Sequence, residues 1–223
     1  MPVPDRLRER KKQATRDSIS AMATWLFIER GFDRVTIADV AAAAEVSKMT
    51  VTNYFPRKED MVFDLREQIV AGPRRAVLAR PSGQSVTDAV RLWFRACLAA
   101  NDPTIGAHGA AFDRLVTGSR TLLGAEREMW ERREIMLAAA IQQSATDAAG
   151  GADSTSVAAA GGDYAGDVPV IVRVRAAALS GVLRSVHDEG RRLTLSGQQK
   201  QEINRFLGSL AEEAFDLVRP VVG

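Results

Sequence analysis

The feature that most limits the fold of this chain is a pair of helix-start signals that follow each other closely near its N-terminus. Thr36 and Asp39 have the spacing of a capping box, in which each residue satisfies a backbone N–H near the start of a helix. Ser47 can accept a hydrogen bond from the backbone N–H of Thr50 and so start another helix at once. The sequence therefore predicts two short helices in quick succession.

A longer helix precedes these two. Apolar residues recur with helical spacing between Ile19 and Phe27, which predicts one buried stripe, and Gly31 ends the helix. The two capped helices then cover residues 37–44 and 48–54. Three helices arranged in this way predict a trihelical unit whose third helix is presented to a groove of DNA.

The periodicity of the third helix assigns its side chains to two faces. Val46, Val51 and Phe55 turn toward the first two helices. The opposite face carries small polar and basic side chains, which suit base edges and phosphates, and Thr50 and Tyr54 lie at its margins. The residues predicted to face the groove are Lys48, Met49, Thr52 and Asn53.

The segment from Arg16 to Val62 resembles the DNA-binding domain of the TetR family of regulators. The matching positions are, in order, Leu26-Phe27, Glu29-Arg30-Gly31-Phe32, Val35-Thr36, Ala41, Val46-Ser47, Thr50, Tyr54-Phe55 and Lys58-Glu59-Asp60. The resemblance implies phosphate contacts by Thr36, Thr50, Tyr54 and Lys58. It also implies a major-groove position for Lys48, Met49, Thr52 and Asn53, the face that the helical periodicity selects.

One position departs from the family pattern, because the turn residue that is commonly glycine is Glu45 here. Either this residue adopts a left-handed conformation, at a cost on the order of 1–2 kcal/mol, or the turn differs slightly from the family's. Three of the proposed contacts also have simpler alternatives. The Tyr54 ring can close the small core, Lys58 can be a solvated residue at the start of the next helix, and Met49 can pack.

The remainder of the chain is also predicted to be helical. The expected helices cover residues 59–79, 86–100, 105–117, 121–144, 168–189 and 197–218. Ser196 and Gln199 have the spacing of a capping box that would open the last of them. Residues 149–166, rich in Gly, Ala and Ser, are predicted to form a flexible loop.

These patterns predict an all-α fold of about nine helices in two domains. Residues 1–58 form the N-terminal arm and the helix-turn-helix domain, and residues 59–80 form a connecting helix. Residues 81–223 form a larger helical domain for effector binding and dimerisation.

The last two helices are the predicted dimer interface. One recognition helix contacts few base pairs, so helix-turn-helix proteins bind as twofold dimers. The final helix has a wide apolar stripe and the helix before it has small residues that permit close packing, so two helices from each subunit can form a four-helix bundle. The alternative is that the stripe is internal core. The residues are Ala176, Ala177, Ala178, Gly181, Ile203, Phe206, Leu207, Leu210, Ala211, Ala214, Leu217 and Val218.

The central helices are expected to enclose a site for a small, largely apolar effector, because such pockets are mostly apolar with a few polar groups. The candidate lining residues are Trp93, Phe94, Cys97, Phe112, Leu115, Val116, Trp130, Met136 and Leu137. Each of them can instead be ordinary core. The resemblance implies that effector binding shifts the fourth helix and changes the separation of the two recognition helices.

The function expected is therefore that of a ligand-responsive repressor that binds double-stranded operator DNA as a homodimer. An activator, or a helical interaction protein with the same N-terminal domain, is the alternative. An enzyme is not expected, because the chain has two histidines, one cysteine and no phosphate-loop, GxSxG or paired-cysteine motif. For the same reason we expect no catalytic residue, no metal and no cofactor.

Charge and hydropathy add two expectations. Residues 1–80 carry 15 Lys and Arg against 11 Asp and Glu, so polyanion binding belongs to the N-terminal third, although ordinary solvated surface can give the same difference. The basic arm, with Arg6, Arg8, Arg10, Lys11 and Lys12, either lies along DNA or is a disordered tail. The chain shows no apolar run long enough to span a membrane and no secretory signal, so a cytoplasmic protein is expected.

Overall fold

The computed structural model describes residues 3–105, 108–148 and 168–222. These ranges contain nine α-helices and no strand, which confirms the all-α prediction. The helices are α1 (Val3–Arg30), α2 (Ile37–Ala43), α3 (Lys48–Tyr54), α4 (Arg66–Leu78), α5 (Val86–Ala99), α6 (Ala110–Thr117), α7 (Arg120–Ala148), α8 (Val170–Leu195) and α9 (Lys200–Val222). The loop predicted over residues 149–166 lies outside the described residues. Within the described ranges, no helix combines the length and the apolar character that crossing a membrane requires.

The chain divides into two compact units. Unit 1 consists of Met1–Arg66 and Ala111–Glu126, and unit 2 consists of Glu67–Ala110 and Arg127–Gly223. This division differs from the predicted boundaries, which place residues 111–126 in the C-terminal domain. The reason is apolar packing, because the buried side chains of that segment share one core with α1, α2 and α3.

The core of unit 1 is built on the predicted stripe of α1. Ile19, Ala23, Leu26 and Phe27 are all at most 2% exposed, as their helical spacing requires. Helix α1 also extends much further toward the N-terminus than the stripe does, since it begins at Val3. The basic arm is therefore part of a helix in this structure and is not a disordered tail.

The prediction of one helix over residues 59–79 is wrong. The chain forms a 3-10 turn at Lys58–Met61, and α4 begins only at Arg66. Met61, Val62 and Phe63 are all buried in the core of unit 1. Consecutive residues of an α-helix point about 100° apart, so three in a row cannot all face one core. The chain leaves the helical path there, which lets all three side chains be buried.

The core of unit 2 joins α5, α7, α8 and α9. Phe94, Leu137, Leu179 and Leu207 are buried at its centre. Helices α8 and α9 approach closely because α8 has a glycine at the crossing: a Cβ atom at Gly190 would lie 2.9 Å from Cδ1 of Leu207.

Two other predicted helix boundaries are also wrong. Helix α6 begins at Ala110 and not at residue 105, because Ile105 belongs to a turn in which its N–H bonds the carbonyl oxygen of Asp102 at 3.1 Å. Ser196 does not open α9 but ends α8, where its hydroxyl donates to the carbonyl oxygen of Leu193 at 2.8 Å. Gly197, with φ at 85°, then takes the left-handed conformation that commonly follows a helix end.

Candidate nucleic-acid interface

The start of α2 is fixed by the predicted capping box. The backbone N–H of Asp39 donates to Oγ1 of Thr36 at 3.2 Å, and the N–H of Thr36 donates to Oδ2 of Asp39 at 2.8 Å. The Thr36 hydroxyl also donates to that carboxylate at 2.7 Å, and these hydrogen bonds lower the pKa of Asp39. The first backbone donors of α2 are therefore ordered by two side chains on the exposed side of unit 1.

The turn between α2 and α3 contains a residue in the left-handed region. Glu45 has φ at 55°, its N–H bonds the carbonyl oxygen of Ala42, and the N–H of Val46 bonds that of Ala41 at 2.9 Å. This is the hydrogen-bond pattern of a Schellman helix end, which normally has glycine at the left-handed position. Of the two alternatives at Glu45, the left-handed conformation is thus the one present, and the turn keeps its geometry without glycine.

Helix α3 begins at the second predicted cap. Oγ of Ser47 accepts a hydrogen bond from the backbone N–H of Thr50 at 3.0 Å and lies 2.8 Å from the Thr50 hydroxyl. The cap therefore orders the Thr50 side chain as well as the helix start.

The two faces of α3 are as predicted. Val51 and Phe55 are fully buried in the core of unit 1, and Thr50 and Tyr54 are half-buried at the margins. The outer face exposes the predicted groove-facing residues, Lys48, Met49, Thr52 and Asn53. The Thr52 hydroxyl donates to the carbonyl oxygens of Lys48 and Met49, so only its acceptor sites are left for a partner.

The C-terminal end of α3 is held by an arginine that the sequence pattern did not identify as important. Arg16 of α1 donates to the carbonyl oxygen of Tyr54 at 2.9 Å and to that of Asp64 at 3.3 Å. Its guanidinium group lies 4.3 Å from the centre of the Phe55 ring. A cation near the last carbonyl groups of a helix is favourable, so Arg16 both caps α3 and ties it to α1.

A second unpredicted contact joins α1 to the turn after α3. The hydroxyl oxygen of Ser20 lies 3.1 Å from the carbonyl oxygen of Met61 and 2.6 Å from Oδ2 of Asp64. These pairs are more than forty residues apart in the sequence, so no local spacing reveals them. Together with the contacts of Arg16, these two contacts of Ser20 fix α3 on the side that faces α1.

Lys58, which is predicted to contact a phosphate, also has partners inside unit 1. Its ammonium group donates to the carbonyl oxygens of Phe32 at 2.7 Å and Val35 at 2.9 Å, and it lies 4.1 Å from the centre of the Phe32 ring. Burial in this position lowers the pKa of Lys58. Two of its three protons are thus used inside unit 1, where they hold the connection between α1 and α2.

The nine residues predicted to line an effector pocket are divided between the two units. Leu115 and Val116 are buried in the core of unit 1, and Phe112 packs against that core. Phe94 and Leu137 are fully packed core residues of unit 2. The remaining members also belong to unit 2, and they are Trp93, Cys97, Trp130 and Met136.

The arrangement of α2 and α3 defines a helix-turn-helix domain with an exposed recognition helix. Residues 19–65 match the family described as bacterial regulatory proteins, tetR family. The chain is 33% identical to the HTH-type transcriptional regulator TcmR of Streptomyces glaucescens over 92 residues. The matched segment makes up 41% of this chain and 41% of that protein. The N-terminal domain of this chain thus matches that of the TetR family of transcriptional regulators, and the chain spans less than half the length of the curated relative that it resembles.

Solved structures share the fold over nearly the whole chain. A putative TetR-family regulator from Mesorhizobium loti MAFF303099 covers 92% of this chain and 97% of its own, with a TM-score of 0.50 and 17% identity. A putative transcriptional regulator from Pseudomonas aeruginosa PAO1 covers 97% and 95%, with a TM-score of 0.51 and 14% identity. At such identities the likeness establishes a common fold.

Proposed function

We propose that the protein is a ligand-responsive repressor of transcription that binds a pseudo-palindromic operator as a homodimer in the cytoplasm. The observation that carries this proposal is the outer face of α3, which is exposed, polar and basic, while the opposite face is locked into the core of unit 1. A rigid helix with such a face is suited to the major groove.

The two kinds of DNA contact fall to different residues in this proposal. Lys48, Met49, Thr52 and Asn53 face the base edges. Thr36, Thr50 and Tyr54 lie at helix starts and margins, where hydroxyl groups can donate to phosphates. Lys58 contributes by holding the α1–α2 connection and retains one proton for a phosphate.

The dimer would form through α8 and α9. The predicted apolar stripe of α9 has two parts, because Ile203, Leu207 and Ala211 are buried in the subunit's own core. Phe206 and Leu217, by contrast, are 49% and 79% exposed. Helix α8 adds exposed apolar side chains of its own, which are Val170, Ile171 and Val174. Large exposed apolar side chains on two neighbouring helices suit an isologous interface between two subunits.

Effector binding would occur in unit 2, among the candidate residues that belong to it. Release of DNA requires that the effector bind better to a state whose recognition helices do not match two successive half-sites. A small and largely apolar effector agrees with the apolar side chains of this unit.

The proposal is tested by selecting bound fragments from the source genome and measuring affinity for the operator thus found. Asn53→Ala, Thr50→Ala and Tyr54→Phe should each weaken binding by about tenfold or more without loss of fold. Thr146→Ala is the matched control, since Thr146 is an exposed helical threonine of α7 whose hydroxyl donates to its own helix, as that of Thr52 does.

Three results would contradict the proposal. One is a monomer that binds no duplex at low salt, and another is unchanged affinity in the three α3 variants. The third concerns the direction of regulation: loss of the protein should raise transcription of the genes beside the operator, whereas a fall would identify an activator.

A further inference from the structure

A fully buried arginine lies between α7 and α8, and no described residue serves as its counter-ion. Arg133 is 2% exposed, and one of its terminal nitrogens donates to the carbonyl oxygen of Ser180 at 3.4 Å. Its Nε has no acceptor, and among the described residues no carboxylate forms an ion pair with this guanidinium group. A buried charge of this kind costs several kcal/mol unless it is paired.

The nearest groups do not relieve this cost. The Arg133 guanidinium lies 3.9 Å from the centre of the Trp130 ring, a favourable but weaker interaction than an ion pair. Among the nearby charges, Arg184 repels the guanidinium and Glu134, the next residue on α7, attracts it. Some other arginines of unit 2 form ion pairs, such as Arg91 with Asp216.

The same place has a second unsatisfied polar group. The hydroxyl of Ser180 is buried and has no hydrogen-bond partner in the part of the chain that the structure describes, although the carbonyl group of that residue contacts Arg133. A buried hydroxyl donor and a buried guanidinium donor are therefore adjacent. Both can be satisfied by one acceptor that carries negative charge.

We propose that Arg133, Ser180 and Trp130 form the anion-recognising part of the effector site, which takes the carboxylate group of an otherwise apolar small molecule. This inference rests on the proposed function, because it assigns a ligand class to the effector site of unit 2. One carboxylate oxygen accepts from Nε of Arg133 and the other from the Ser180 hydroxyl. Leu137, one helical turn along α7 from Arg133, and Leu179, next to Ser180 in the chain, are buried and apolar, which favours an apolar remainder of the ligand.

In this proposal, Trp130 is the residue that the ligand displaces to enter the site. Its ring covers the guanidinium group of Arg133 on one side and packs edge-on against the ring of His187, with 4.9 Å between ring centres. Trp130 itself is only half-buried. A ligand that displaces this ring reaches the guanidinium group directly.

The test compares acids with their neutral analogues on the full-length protein without DNA. The probes are 2-naphthoate and decanoate, each against the corresponding alcohol, and binding is measured by calorimetry and by the shift in melting temperature. Wild-type protein should bind each acid at least about tenfold more tightly than its alcohol, because a hydrogen bond to a charged partner is lost with the alcohol.

Variants show which residues cause the tighter binding of acid than of alcohol. Arg133→Met should abolish this difference in affinity, and Ser180→Ala should reduce it. Arg132→Met is the matched control and should keep it, because Arg132 is the neighbouring residue on α7 but is exposed and paired with Glu67. If Arg133→Met fails to fold, Arg133→Lys provides the test: it keeps the charge without the forked donors and should weaken acid binding by about tenfold.

The inference is overturned if neither acid binds at millimolar concentration, if acid and alcohol bind equally, or if the preference survives in Arg133→Met. The proposed function fails separately. Acids that bind through Arg133 but leave the operator complex intact would contradict ligand-controlled release while supporting this site. Operator binding by a protein that binds neither acid would contradict the carboxylate site and would leave the proposed DNA-binding function intact.

Discussion

The ammonium group of Lys58 donates to the carbonyl oxygen of Phe32 at 2.7 Å and lies 4.1 Å from the centre of the Phe32 ring. One residue thus provides both an acceptor and a π-face to the same cation. Because Lys58 also bonds the carbonyl oxygen of Val35, it holds the connection that leads into α2. The geometry makes Lys58 a residue that positions the helix-turn-helix.

Replacing Lys58 should therefore affect folding first. Lys58→Met leaves two carbonyl groups without their donor, and we expect it to lower the free energy of unfolding by about 1–3 kcal/mol. Lys48→Met is the matched comparison, because Lys48 is exposed on the outer face of α3. It should change stability by less than about 0.5 kcal/mol yet weaken operator binding. Urea unfolding and a DNA-binding titration on both variants provide the measurement.

A Lys58→Met variant with unchanged stability and weaker operator binding would contradict this positioning role. If Lys58→Met unfolds like wild type but loses operator affinity, its principal role is the phosphate contact that the family resemblance implies, and the internal hydrogen bonds are secondary.

The left-handed turn residue gives a second prediction. Glu45→Gly should raise the free energy of unfolding by about 0.5–1 kcal/mol, because glycine removes the steric cost of φ at 55° and this gain exceeds its extra entropy in the unfolded chain. Ala42→Gly, on an exposed helical position of α2, should instead lower it by about 1 kcal/mol. Equal losses in the two variants would mean that Glu45 is not strained.

Local patterns were sufficient to predict the helix-turn-helix. The caps at Thr36 and Ser47 act over three residues, and the burial of Val51 and Phe55 follows from helical periodicity, so both could be read from neighbouring positions. The contacts that fix α3 on its buried side could not be predicted in this way. The contact of Arg16 with Tyr54 joins residues 38 positions apart, and a basic residue in a long helix has many possible partners.

The errors also have a common physical cause. Helix ends depend on which groups tertiary packing buries, and Met61, Val62 and Phe63 interrupt a pattern that by itself favours a continuous helix. Leu115 is apolar in either unit, so its sequence context gives no sign that it packs with α1. The polarity of a side chain predicts that it is buried, but not in which core.

The exposed apolar side chains of α8 and α9 give a third prediction, on assembly. Phe206→Glu combined with Leu217→Glu should convert a dimer into a monomer without unfolding it, because both side chains are exposed in the single subunit. Analytical ultracentrifugation measures the mass, and circular dichroism checks the fold. Leu92→Glu, at an exposed leucine of α5, is the control and should remain dimeric. A dimeric double variant would move the interface elsewhere.

The basic start of α1 gives a fourth prediction, on salt dependence. Arg8, Arg10, Lys11 and Lys12 are exposed on this helix, so each that meets a phosphate on binding releases counterions. Deleting residues 1–12 should reduce the slope of log affinity against log salt by about 0.9 for every phosphate that the shortened protein no longer neutralises. An unchanged slope would show that this part of α1 takes no part in DNA binding.

The buried guanidinium of Arg133 gives the last prediction, which concerns pH. Burial lowers the pKa of Arg133 to about 9, with a further contribution from the neighbouring charge of Arg184. At neutral pH the group is charged in both the folded and the unfolded chain, so the full cost of burying it is present. Above about pH 9 the folded chain binds fewer protons than the unfolded chain, and stability therefore rises with pH from this group.

Arg133→Met removes the buried charge and should raise the free energy of unfolding at pH 7 by about 1–4 kcal/mol. This advantage over wild type should be constant below about pH 9 and shrink above it, because the wild-type arginine is then neutral in the folded state. Urea unfolding of the two proteins from pH 7 to about pH 10 measures the difference, and Arg132→Met corrects for the loss of one surface charge. An advantage that grows with pH would contradict the burial of an unpaired cation, whereas a variant less stable than wild type would show that Arg133 already has a compensating partner.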